Sequence, residues 1–444
     1  MRASTVTPRS TTTRDNRPTV RRHELDWLRT GAVFGLIPFH TAVIFTTGSY
    51  DYVKNAQTSA LMDIFTSFIT IWGIPLLFLV AGGAARFALA SHGPRQYLNE
   101  RVARLIVPFV FGMLLIVPLQ VYIGRLSAPT PPAFLTFYGE FMQTLLGVLT
   151  LHFPRGPEWI GHLWFIPPLM LFSALALPFA YLLRTPRARG AVSWLASGWR
   201  GFGSLALFGL PLAVVQYFTL EGVGWFSTID TPFLSNAIGT VAFLIFFLYG
   251  YLIYLDDRIV ASLRRDAWLT LLLAALSWVV MVYILPGWQG LNATPGLAHV
   301  AQSLARGYCS WWWVAGIVGM GVRYLQFTTP TVEYLSRAAY PVYIIHMPIL
   351  SLIAFWVVRM DISILLKFLL IVVASLAVSL AVYDAFIRRI HMLRLLFGLG
   401  ASESGDKARR STPHNTSLRR PTPRRHLPAH TDSIWNRRAT QPRL

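Results

Sequence analysis

Apolar residues in this chain gather into long runs separated by polar connections, and the runs are about 20 residues long, the length a helix needs to cross a bilayer. Ten such runs stand at approximately 28–48, 61–83, 105–124, 162–183, 201–220, 234–255, 267–286, 304–322, 338–358 and 364–387. The fifth is rich in glycine, and the eighth opens with Arg306 and carries Trp311-Trp312-Trp313, so these two fit the pattern least well. Dropping either would invert everything after it, which makes charge a test of the count. With the N-terminus inside, the connections facing the cytoplasm (84–104, 184–200, 256–266, 323–337) hold thirteen Lys and Arg. The outward ones (48–60, 125–161, 221–233, 287–301, 359–363) hold four. Positive charge collects on the cytoplasmic side of membrane proteins. The pattern therefore predicts an all-α polytopic membrane protein with about ten transmembrane helices and both termini cytoplasmic, a multi-pass protein of the cell membrane. Within the connection 125–161, "FLTFYGEFMQTLLGVL" suits an interfacial or re-entrant helix.

Composition changes this picture little. Of 444 residues, 54% are hydrophobic and 13% charged, far from the balance of a soluble domain. The formal net charge of +20 sits mostly in the termini and in alternate connections, a topological pattern rather than a nucleic-acid groove, so no nucleic-acid partner is expected. Basic tails at 1–22 and 396–444 are expected to be disordered around a membrane domain at 23–395; their arginines are either solvated or held by anionic headgroups of membrane lipids. The first run follows Glu24 and Asp26 and has no small-x-small cleavage site, so it is expected to remain as an anchor. Cys309 is the single cysteine, which excludes intrachain disulfides and a zinc cluster. There is no G-x-S-x-G elbow, P-loop, H-E-x-x-H pair or other metal-ligand cluster. Hydrolase, ATPase and metalloprotease chemistry lose support, and neither a metal nor a bound cofactor is expected.

Ionisable side chains inside the runs carry the candidate chemistry. In "LDWLRTGAVFGLIPFH", Arg29 stands at the cytoplasmic end and His40, eleven residues on, is raised by roughly 16 Å to mid-membrane. A titratable ring there is either functional or a neutral packing group bonded to a neighbouring helix. In "NERVARLIVPF", Arg101 and Arg104 share one helix face at the inner foot of the third run. Their planar forks suit phosphate oxygens, although arginines at an inner helix end also follow from topology alone. "EWIGHLWFIPPL" places Glu158 and His162 four residues apart at the outer mouth of the fourth run, as a site for a hydroxyl-bearing acceptor or as interfacial decoration. "YPVYIIHMPIL" sets His346 about eight residues into the ninth run, within reach of a cavity shared with His40. A bundle of this kind with a mid-membrane histidine also suits a transporter or flippase for a glycan or lipid intermediate.

Taken together, these stretches resemble the acyltransferase 3 family of membrane acyltransferases over roughly residues 23–395. Its opening arginine, ten residues and histidine are matched by Arg29 and His40; its R-x-x-R element is matched by Arg101 and Arg104, with Pro108 beyond. "HLWF" and "YIIHMP" resemble two further recurring pieces, while Ala81-Gly82 stands where many members carry Ser-Gly. The resemblance implies transfer of an acyl group from cytoplasmic acyl-CoA to a hydroxyl of a carbohydrate or lipid-linked glycan of the cell envelope. By the same resemblance, Arg101 and Arg104, with Arg29, would hold the donor phosphates. His40 would serve as general base or as transient acyl carrier, and Asp26 or Glu24 would orient Arg29. Glu158, His162 and His346 would line the acceptor side or the cavity.

Overall fold

The computed structural model describes residues 22–48, 53–150, 159–198, 203–220, 237–285 and 296–399. The expected tails, up to residue 21 and from residue 400, lie outside the described residues, as does Glu158. All regular elements among the described residues are helices. In chain order they are α1 (His23–Val43), α2 (Ala60–Ser91), α3 (Pro94–Arg125), α4 (Phe134–Leu149), α5 (Gly161–Leu182), α6 (Pro186–Gly198), α7 (Gly203–Leu207), α8 (Gly209–Leu220), α9 (Ala237–Ile253), α10 (Asp257–Ile284), α11 (Leu297–Tyr324), α12 (Pro330–Val357), α13 (Ile364–Ile387) and α14 (His391–Leu396).

A helix lies over each of the ten apolar runs. Six of them, α2, α3, α5, α10, α12 and α13, are long and apolar enough to cross a membrane, and α8 and α9 contain shorter apolar stretches. Among the described residues, six of the ten expected spans therefore meet both the length and the apolarity that a crossing needs. Large side chains on these helices face outward, Val373 at 64% exposure and Leu272 at 56%, a surface that suits lipid rather than water. The chain is a multi-pass membrane protein. One element differs from the sequence reading: helix α6 occupies what was read as a plain connection. Phe397 is buried against Phe111.

Local chemistry sets the helix ends. Asp256 accepts from Arg258 N, Thr329 from Val332 N and Ser363 from Leu366 N, each satisfying an amide that the first turn leaves free. Inside α3, Pro118 has no N–H for the carbonyl of Leu114. The helix opens into a wide turn at Gly112–Ile116, and the Tyr138 hydroxyl of α4 donates to Leu114 O at 3.1 Å. Helices α2 and α9 cross with their backbones in contact. A Cβ at Gly82 would lie 1.8 Å from Phe247 O, and one at Gly250 would lie 1.8 Å from Leu79 O. That crossing accounts for the glycine of the Ala81-Gly82 pair.

Contacts between helix ends show that the chain alternates direction. At one end of the bundle Arg22 pairs with Asp257 at 2.6 Å, Arg29 bonds Ser336 at 2.6 Å, and the Tyr334 hydroxyl bonds Asp384 at 3.0 Å. At the other end Lys367 Nζ reaches Asn55 Oδ1 at 3.0 Å, tying the α1–α2 connection to α13.

Candidate functional site

Three histidines from three helices meet inside the bundle. The ring centroids of His40 (α1) and His346 (α12) are 5.5 Å apart, and those of His346 and His162 (α5) are 5.2 Å apart. Proline chemistry places the third ring. Pro348 provides no N–H for the carbonyl of Ile344, and His162 Nε2 takes that carbonyl at 2.9 Å. Gly161, with φ of +53°, allows the sharp entry into α5 that turns His162 inward. The Tyr343 hydroxyl donates to His162 O at 2.7 Å and fixes the same turn from α12.

Hydrogen bonding settles which nitrogens carry protons. A carbonyl only accepts, so His346 Nδ1, 2.7 Å from Tyr343 O, donates its proton there. The neutral ring then holds a lone pair at Nε2, which is buried and has no protein partner. His162 Nε2–H goes to Ile344 O, which leaves Nδ1 as an acceptor 2.6 Å from the side-chain amide of Gln120, at Oε1. A neutral His162 therefore requires the amide to turn its NH2 toward the ring, which also engages the otherwise unpaired Gln120 Nε2. His162 is thus occupied at both nitrogens. His40 Nδ1, like His346 Nε2, is buried without a partner. Two adjacent imidazoles with unspent nitrogens are available for proton chemistry, and the third ring braces them. Among the described residues, no three side chains of His, Cys, Asp or Glu converge to hold a metal ion.

The other expected residues fall in distinct places. Arg29 Nη2 bonds Ser336 Oγ at 2.6 Å and Asp26 Oδ1 at 3.3 Å, so the expected Asp26 ion pair is present and is shared with α12. Glu24 does not take that role. It is fully buried, 3.8 Å from Arg22, below the apolar run that begins at Leu28, and burial raises its carboxyl above the usual range. Arg101 lies 5.2 Å over the ring of Tyr97, and Arg104 is exposed on the same helix. His162 is 6% exposed, a buried residue inside the bundle rather than interfacial decoration. Gln120, Tyr343 and Pro348 went unremarked in the sequence. The amide of Gln120 inside "VPLQVY" was the one legible signal, because an intramembrane amide needs a partner.

A family model described as an acyltransferase domain, acyltransferase 3, matches residues 22–384. Curated relatives include the glucans biosynthesis protein C of Salmonella schwarzengrund, of Salmonella heidelberg and of Salmonella typhi. Each is 23% identical over 389 residues, covering 86% of this chain and 95% of the relative. No solved structure matches. With a family match across most of its length, the chain belongs to the acyltransferase 3 family and is an acyltransferase of groups other than amino-acyl groups.

Proposed function

We propose that this protein is an O-acyltransferase of the cell membrane, with ten crossings and both termini cytoplasmic. It moves an acyl group from cytoplasmic acyl-CoA to a hydroxyl of a carbohydrate or lipid-linked glycan of the envelope. The relatives named for glucan biosynthesis support the acceptor class, and the excess of Lys and Arg on alternate connections supports the orientation. Coenzyme A carries phosphate charges that cannot enter hydrocarbon, so its head stays at the arginine-bearing inner end, near Arg29, Arg101 and Arg104, while its thioester arm reaches inward.

The observation that carries the reading is the pair of unpartnered ring nitrogens on His40 and His346 within the bundle. In the reaction, the acceptor hydroxyl oxygen attacks the thioester carbonyl as His40 removes its proton. The carbon–sulfur bond then breaks, and the imidazolium returns the proton to the leaving thiolate. The products are an ester and free coenzyme A. A two-step route through an acylated His40 gives the same balance. The test is incubation of the purified chain with acyl-CoA and a glycan acceptor. One free thiol released per ester formed supports acyl transfer. Glycan movement across the membrane without thiol release supports a transporter instead.

A further inference from the structure

Three arginines approach a pair of tyrosines at one end of the bundle, and among the described residues none of the three is in an ion pair. Arg86 comes from α2, Arg101 from α3, and Arg184 from the turn that follows α5. Arg86 and Arg184 both lie within electrostatic reach of the Tyr251 hydroxyl on α9, and so does Tyr97. Arg101 lies 5.2 Å over the Tyr97 ring. Phe179 of α5 packs edge-on against Tyr251 at 5.5 Å, which holds the carboxyl end of α5 to this wall.

Two features mark this as a site rather than a basic surface. Tyr97 is only 1% exposed, yet its hydroxyl is buried with no protein partner, and Arg86 Nε is in the same condition. A buried donor left unpaired is costly, so a ligand that accepts from it is favoured. Five acids at this end are engaged elsewhere. Asp257 pairs with Arg22 at 2.6 Å, Asp256 with Arg258 at 2.8 Å and Asp26 with Arg29 at 3.3 Å, and Glu24 lies 3.8 Å from Arg22. Glu100 accepts from Gln96 at 3.1 Å. Three guanidinium groups gathered without a counter-charge repel one another until an anion joins them.

We propose that Arg86, Arg101 and Arg184, with the hydroxyls of Tyr97 and Tyr251, form a binding site for phosphoryl groups. Where that phosphate belongs to a nucleotide-bearing acyl donor, the inference rests on the function proposed above. It then moves the centre of donor binding from the Arg101–Arg104 pair to Arg101, Arg86 and Arg184. The same chemistry would hold the phosphate of an anionic lipid headgroup. Planar, forked donors from two helices and the turn after a third, with phenolic hydroxyls beside them, suit several phosphate oxygens at once.

The test uses the full chain in nanodiscs, with titration of unacylated coenzyme A, competition by inorganic pyrophosphate, and native mass spectrometry of retained anionic lipid. Arg86→Ala and Arg184→Ala should each weaken coenzyme A at least about tenfold. Pyrophosphate should compete, and exposed Arg264→Ala should bind as the wild type does. Arg86→Lys and Arg184→Lys, which keep the charge, should recover part of the affinity and guard against misfolding. If the two alanine variants instead lose phosphatidylglycerol while coenzyme A binding is unchanged, the phosphate is a lipid's and the site stands. Unchanged binding of both ligands in correctly folded Arg86→Ala and Arg184→Ala proteins overturns the site. Coenzyme A binding at this site by a protein that transfers no acyl group would leave the site in place and remove only the proposed function.

Discussion

His40 Nδ1 and His346 Nε2 are both buried and unpartnered on rings whose centroids are 5.5 Å apart, and the second of these nitrogens is fixed as an acceptor by the bond from His346 Nδ1 to Tyr343 O. The arrangement has the logic of an oriented base. A backbone carbonyl sets the tautomer of one imidazole, and that imidazole keeps an unspent lone pair beside the next ring.

Replacing His346 tests that logic. His346→Leu should lower kcat about 10²-fold while leaving donor affinity within a factor of about two, because the lost group acts on proton position and not on the phosphates. His346→Gln keeps an acceptor in the same region and should recover part of the rate. Steady-state kinetics and coenzyme A titration on both variants check it. Equal loss from both variants with weakened donor binding would mean that His346 is only a packing group.

Gln120 and Tyr343 brace His162 from α3 and α12. Gln120→Leu leaves a buried ring nitrogen unpaired and should cost about 1–3 kcal/mol of stability, whereas Tyr343→Phe removes one hydroxyl bond to His162 O and should cost about 1 kcal/mol. Thermal unfolding in detergent measures both, and the order of the two is the sharper check.

Much of this was legible in the sequence, and the reasons are physical. A spanning segment must bury its own backbone bonds, so runs such as 61–83 and 364–387 show their helices by length alone. His40 and His346 were found because an ionisable group at mid-membrane is costly. Positions set by backbone events were not legible. Nothing in "HMP" reveals that Pro348 frees the Ile344 carbonyl for a histidine 182 residues away. Helix α6 was missed because its sequence, PRARGAVSWLASG, has no long apolar run, and Arg86 and Arg184 were missed because they come from segments far apart in the chain.

The α2–α9 crossing predicts a severe steric effect at a single atom. Gly82→Ala places a methyl 1.8 Å from Phe247 O, a backbone atom that cannot swing away, so the helices must part. The expected cost is about 3 kcal/mol or more, at the upper end of overpacking effects, seen as a lower Tm and poorer recovery from membranes. Gly31→Ala, at a position with open space around it, should leave Tm unchanged.

Glu24 gives a pH dependence. Burial raises its carboxyl above the ordinary glutamate value of 4.5, so the folded protein holds this proton more tightly than the unfolded chain does. Its contribution to stability is then full below the unfolded value and is lost as pH rises through the folded one. Glu24→Gln should flatten the fall in Tm with pH above about 4.5 and be the more stable protein at neutral pH. An unchanged slope would show that Arg22, 3.8 Å away, offsets the burial.

The most direct test is the ester content of envelope glycan in cells carrying only His40→Ala, with the variant present in membranes at wild-type level. The account predicts that the ester-linked mass disappears while coenzyme A binding by the purified variant persists. Wild-type ester levels in those cells would contradict it.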